Sequence, residues 1–194
     1  ILPDGAVAGN SHLKKKICEN TRYTYDLECF RDRYGKYMKK DDLYLGYYLH
    51  LIQDMLYRRF MYGEHGWNSS VPGNVEKLYR DYEILNEYGL FQEMIQELDL
   101  TEEPLAQLAE FDVKDLIKEV RGEFTQRKEE KLFILTRQMA NEYIVRATEF
   151  CVEELKALSK GKSGLDSTVW SWEKPENISH EKLNQKLNAK IENM

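Results

Sequence analysis

The chain has 194 residues, with 28 Lys and Arg against 34 Asp and Glu, a formal net charge of −6 and 42% hydrophobic residues. That length buries a core without disulfide or metal staples, and the acidic balance argues against a protein that coats long nucleic acids. Cys18, Cys29 and Cys151 lie far apart with no CxxC spacing, the pattern of reduced thiols in a cytoplasmic setting.

Residues 1–20 read as irregular, because Pro3, Gly5, Gly9 and Asn10 interrupt any periodic pattern; the same segment carries Asp4 and His12. A first helix is expected from Thr24 or Asp26, either a suitable N-cap, through Tyr37, with Leu27, Phe30, Tyr34 and Tyr37 on one face. A second runs over 42–62. Asp41 and Asp42 suit the positive end of its dipole, and Gly63 and Gly66 end it. A third covers 74–98, weakened at Gly89.

Beyond the break at Pro104, Thr101 and Glu103 suit the start of a short helix, and Asp112 caps another over 113–122. The last long helix is expected over 128–158, where Leu132, Leu135, Met139, Tyr143, Arg146 and Phe150 trace a stripe. No strand pattern and no internal repeat stands out, so the expected fold is an all-α helical bundle with a central buried helix at about 42–62. Gly161, Lys162, Ser163 and Gly164 read as a linker. It divides a helical metal-binding domain, 1–160, from a linker and tail, 161–194, whose Trp170 and Trp172 either dock back or meet a partner. Lys14-Lys15-Lys16 and Lys39-Lys40 read as solvated. No apolar run reaches the about 20 residues of a membrane span; the stretch from Leu43 to Met61 is interrupted by His50, Asp54, Arg58 and Arg59.

The second helix carries the chemistry. A 3.6-residue period aligns Leu43, Tyr47, His50, Asp54, Tyr57 and Met61, while Leu45, Leu49, Ile52, Leu56 and Phe60 make the other sides apolar. A helix apolar nearly all round belongs inside a bundle, so His50 and Asp54 fall one turn apart on a buried face. A buried carboxylate needs a partner or a metal, and side chains at i and i+4 reach a single ion. The same pair also suits a structural His–Asp hydrogen bond, or a pairing of Asp54 with Arg58. On the third helix Asp81 shares a stripe with Leu78 and Leu85. It is either a further ligand or the partner of a cation such as Arg58 or Arg59. His65 stands between glycines as a loop ligand or an exposed histidine, and His180 is given no role.

Pro3-Asp4, Ser11-His12-Leu13, Tyr25-Asp26-Leu27-x-x-Phe30, the run from Tyr44 to Asp54, and Tyr79-x-Asp81-Tyr82 together resemble the bacterial zinc-dependent phospholipase C-like proteins over residues 3–86. The resemblance implies a helical fold similar to phospholipase C and the S1/P1 nucleases, which hydrolyse phosphate esters with zinc held by His and Asp. Carried over by motif, it implies Asp4, His12, His50, Asp54 and Asp81 as metal ligands. The N-terminal segment of the three-zinc enzymes and their downstream His and Glu ligands have no counterpart here, which implies one or two ions of zinc or another divalent metal.

The expected function is therefore a metal-dependent phosphoesterase acting on an unidentified phosphate ester, with Asp4 or Asp81 as general base or bridging ligand. The alternative is a catalytically inactive binding or interaction module of the same fold. An HD-type phosphohydrolase needs an adjacent His-Asp dipeptide, which the sequence lacks.

Overall fold

The computed structural model describes residues 2–86, 103–123, 131–162 and 165–173. Among them the secondary structure is mixed. In chain order it comprises β1 (Ala6–Gly9), β2 (Lys14–Ile17), β3 (Arg22–Tyr25), α1 (Leu27–Met38), α2 (Asp42–Arg58), α3 (Asn74–Leu85), β4 (Ala109–Phe111), α4 (Val113–Glu123), α5 (Arg137–Ser159) and β5 (Trp172–Glu173). The all-α expectation is thus corrected: helices predominate, but β1 pairs with β4 and β2-β3-β5 form a second antiparallel sheet.

The reasons these strands escape a periodicity reading are local. β2 is Lys-Lys-Lys-Ile, a poor strand by propensity, yet it occupies a sheet edge, where lysines discourage further pairing. Lys15 also pairs with Asp26 at 3.0 Å, and Lys14 sits 4.6 Å above the Tyr23 ring. The hairpin turn has no glycine. Cys18, Glu19 and Asn20 all take positive φ, at 50°, 54° and 67°, so the usual Asn-Gly or Asp-Gly signal is missing. β1 is built of small residues and ends at Gly9, whose φ is 94° and whose missing Cβ would lie 2.9 Å from Ala109 Cα. Its partner strand lies a hundred residues away in sequence.

The helices follow the sequence more closely. Of the two candidate caps, Asp26 is the one used: its carboxylate accepts from the Cys29 N–H at 3.2 Å, and α1 buries Leu27, Phe30 and Tyr34. Asp41 caps α2 by accepting from Leu43 N–H at 2.9 Å. That helix buries Tyr44, Tyr47, Tyr48, Leu51, Ile52 and Met55, each worth about 1.5–3 kcal/mol if fully apolar. The helical path then widens into a π-turn, Arg59–Glu64, and ends where Gly66 adopts φ 63°. This overshoots the expected end at 62 by two residues.

α3 closes at Leu85, short of the expected 98; residues 87–102 lie outside the described ones. The short helix after Glu103 is a single 3-10 turn, Pro104–Gln107. α5 starts at Arg137 rather than 128. Thr136 caps it, and residues 133–135 hold their N–H groups toward Asp81 instead of forming a helical turn.

A buried polar chain ties the helices together. Arg31 of α1 donates to the Tyr48 hydroxyl at 2.7 Å, and that hydroxyl donates to Glu154 of α5 at 2.8 Å. The start of the tail docks back. Leu165 and Trp172 are buried in the core, and Trp170 meets Phe150 edge-on at 4.8 Å between ring centres. Thr24 donates to the Ser167 carbonyl at 2.6 Å, and Arg22 reaches Ser171 and Glu173. Among the described residues no helix is long and apolar enough to cross a membrane.

Candidate metal centre

Three separate devices bring four side chains to one point. His50 and Asp54 come from successive turns of α2, as their spacing requires. His12 sits in the turn between β1 and β2. That turn is closed by Leu13 N–H donating to the Asn10 carbonyl at 2.9 Å, and pinned by the Tyr47 hydroxyl donating to the Ser11 carbonyl at 2.7 Å. Tyr47 lies three residues before His50, so α2 positions both its own histidine and the loop histidine. Asp4 rides on the 3-10 turn Leu2–Gly5. The Gly5 carbonyl accepts from Asp112 N–H at 2.9 Å, and Leu116 of α4 packs so closely that a Cβ on Gly5 would fall 2.7 Å from its Cδ2.

One ligand-type atom from each of Asp4, His12, His50 and Asp54 lies within 4.8 Å of all the others, and these four residues can hold a metal ion. His12 Nε2 is 3.4 Å from Asp4 Oδ1, 3.3 Å from Asp54 Oδ2 and 3.4 Å from His50 Nε2. His50 Nε2 is 3.4 Å from Asp4 Oδ2 and 3.9 Å from Asp54 Oδ1. Zinc bonds to N and O ligands of about 2.0–2.1 Å imply a tetrahedral edge of about 3.3–3.4 Å. Four of the five separations match that edge, whereas direct charge-assisted hydrogen bonds would draw in to about 2.7–2.9 Å. The donor set is two imidazoles and two carboxylates, ligand types that several divalent metal ions take.

Electrostatics point the same way. Burial alone would raise the Asp4 carboxyl, but the His12 and His50 imidazoles hold it well below the usual carboxylate range. Burial alone would lower His12, but Asp4 and Asp54 together raise it to about 9. Without a metal, a proton on His12 does part of the ion's work. The Ser11 hydroxyl lies 3.0 Å from His12 Nδ1 and so fixes the ring while Nε2 faces the cluster. The His50 and Asp54 side chains are 15% and 26% exposed, so they are half-buried rather than deep in the core, and Asp4 at 50% marks the open side.

The fifth expected ligand is engaged elsewhere. Asp81 is fully buried, and its carboxylate accepts from the backbone N–H groups of Phe133, Ile134 and Leu135 at 2.8, 2.6 and 2.7 Å. It anchors the lead-in to α5 and, among the described residues, is neither in the ligand group nor in an ion pair with an arginine. His65 packs on Phe60, 4.3 Å between ring centres, and is also outside the group; His180 lies outside the described residues.

Three neighbours were not singled out from the sequence as site residues: Ser11, Tyr25 and Arg58. The Tyr25 ring lies 5.5 Å from that of His12, and the Trp172 ring meets Tyr25 edge-on at 5.0 Å from behind. Arg58 extends the α2 pattern to His50, Asp54, Arg58 at i, i+4, i+8, a spacing readable in the sequence. Comparison with known families, characterised proteins and solved structures finds no match to this chain.

Proposed function

We propose that the chain is a zinc-dependent hydrolase of phosphate esters, with Asp4, His12, His50 and Asp54 as the metal ligands. The observation that carries the reading is the convergence of two imidazoles and two carboxylates at tetrahedral-edge spacing, on a site whose Asp4 side faces solvent. A divalent ion held there supplies charge for the phosphoryl oxygens and acidifies water for attack. The chain's own part is to aim His12 Nε2 at the cluster, with Ser11 steadying its Nδ1, and to keep Asp54 fixed from α2. Asp4, the most exposed of the four, is the carboxylate placed to act as general base and accept the proton of the attacking water. The resemblance of residues 3–86 to the zinc-dependent phospholipase C-like proteins supports phosphate esters as the substrate class.

Metal analysis of protein purified without chelator, with hydrolysis of p-nitrophenyl phosphate and bis-p-nitrophenyl phosphate, tests this. The expected result is stoichiometric zinc, lost in His50→Ala together with turnover. A wild-type protein without bound metal, or a His50→Ala variant that keeps it, overturns the reading.

One observation favours a second reading. Four protein ligands can fill a tetrahedral site, which is the mark of a structural zinc rather than a catalytic one. On that reading the chain is a metal-stabilised binding module. It would hold zinc, show no turnover on either ester, and lose thermal stability on chelation.

A further inference from the structure

Beside the metal ligands lies a cation whose surroundings do not balance its charge. Arg58 leaves α2 one turn after Asp54, and its Nη1 donates to the Tyr62 hydroxyl at 3.3 Å. Its guanidinium also lies against the Tyr25 phenol, whose ring packs on His12. Among the described residues no carboxylate comes within 4.0 Å of it, although Arg22 and Arg146 each have such a partner. Asp54 acts on Arg58 only through space. A half-buried arginine is ordinarily paired with an acid. Here two neutral phenols orient the guanidinium, and its charge is left for something else.

We infer that Arg58, held by Tyr25 and Tyr62, is the anion-binding residue of the site and takes a non-bridging oxygen pair of a tetrahedral phosphate lying against the metal ligands. This rests on the phosphoesterase reading and adds the group that recognises the phosphoryl moiety. The guanidinium fork suits two phosphate oxygens, which a lysine ammonium would grip only as a point charge. The Tyr62 and Tyr25 hydroxyls fix the fork in advance, so little ordering remains when the anion arrives. Burial works against the arginine's proton, but Tyr25, Tyr62 and Asp54 outweigh that desolvation and keep it in place. The same phosphate recognition serves an ester substrate or the free phosphate product.

The test uses the full chain with cobalt(II) substituted for zinc. Inorganic phosphate is titrated while the visible cobalt spectrum is followed, and p-nitrophenyl phosphate is the second ligand. Arg58→Gln is expected to keep the wild-type metal stoichiometry and to weaken inorganic phosphate by about tenfold or more, the scale of a lost charged hydrogen bond. Tyr25→Phe, which removes only one support of the fork, is expected to weaken it by about threefold, within the worth of one neutral hydrogen bond. Arg58→Lys, which retains charge and packing stem, should fall between wild type and Arg58→Gln and serves if the glutamine variant does not fold. Weakening of both ligands places the ester's phosphoryl group on Arg58; weakening of inorganic phosphate alone makes it a product site. Equal phosphate affinity in wild type and the Arg58 variants, with metal bound in all, overturns the inference and leaves the metal site standing. A wild-type protein that binds no metal overturns the phosphoesterase reading and the inference with it.

Discussion

Two inward-facing carboxylates on neighbouring helices, Asp54 of α2 and Asp81 of α3, look alike as sequence and meet opposite surroundings. Asp81 has three backbone N–H donors at 2.6–2.8 Å and is fully buried. Asp54 faces the imidazoles of His12 and His50 at 3.3 and 3.9 Å and is about a quarter exposed. A carboxylate that already accepts three fixed main-chain N–H groups has little left to offer an ion; it holds the chain in place. A carboxylate whose neighbours are other ligand-type groups, set apart by more than a hydrogen bond, offers its oxygens jointly with theirs. Buried charge alone does not mark a metal site; what the partners are does.

The sharpest way to break this contrast is Asp81→Ala. It removes the acceptor of three N–H groups, that of Leu135 among them buried, and should cost about 3 kcal/mol of unfolding free energy in urea denaturation. The fraction that remains folded should bind metal as wild type does; a loss of metal without a loss of stability would make Asp81 part of the site after all.

His50→Ala is the mirror experiment. Zinc affinity should fall by more than about a hundredfold, while the metal-free protein changes in stability by no more than about 1 kcal/mol. Chelation should lower the melting temperature of the wild type but not of this variant.

The pH dependence separates the two states of the cluster. His12, raised to about 9 by Asp4 and Asp54, contributes stability to the metal-free fold that is complete below its unfolded value near 6.5 and is lost as pH rises through about 9. Metal binding needs the neutral ring, so zinc affinity should rise about tenfold per pH unit over that same window, with about one proton released per ion. Calorimetry in buffers of differing ionisation heat counts that proton. A flat affinity between pH 7 and 9 would remove His12 from the ligand set.

The smallest effect is expected at Ser11. Replacing it with Ala frees the His12 ring at Nδ1 and should weaken metal by roughly tenfold, the low end for a group that orients a ligand. The fold should be unaffected, since the Tyr47 hydroxyl holds the Ser11 carbonyl and not its side chain.

Much of the helical frame was legible. Asp26 and Asp41 as caps, the apolar circumference of α2, and the one-turn spacing of His50 and Asp54 all follow from short-range geometry. The β-sheets were not legible. Lys-Lys-Lys-Ile has no strand pattern until Arg22-Tyr23-Thr24-Tyr25 lies beside it, although the aromatic and β-branched Tyr-Thr-Tyr was a usable signal. Asp81 misled for a related reason: its stripe position correctly foretold burial, but its donors come from a segment fifty residues further on.

The sequence by itself determined which residue types could bind a metal and that two of them share a helix face, because helical geometry depends only on neighbours a few positions apart. Whether Asp4 and His12 join them was decided by tertiary structure. Asp4 is placed by the pairing of β1 with β4 and the packing of α4 on Gly5, and His12 by a hydroxyl on α2. Arg58 likewise becomes an anion site only because Tyr25, from a strand, meets it instead of an acid. Contacts between distant segments depend on how the whole chain closes, and no local periodicity encodes them.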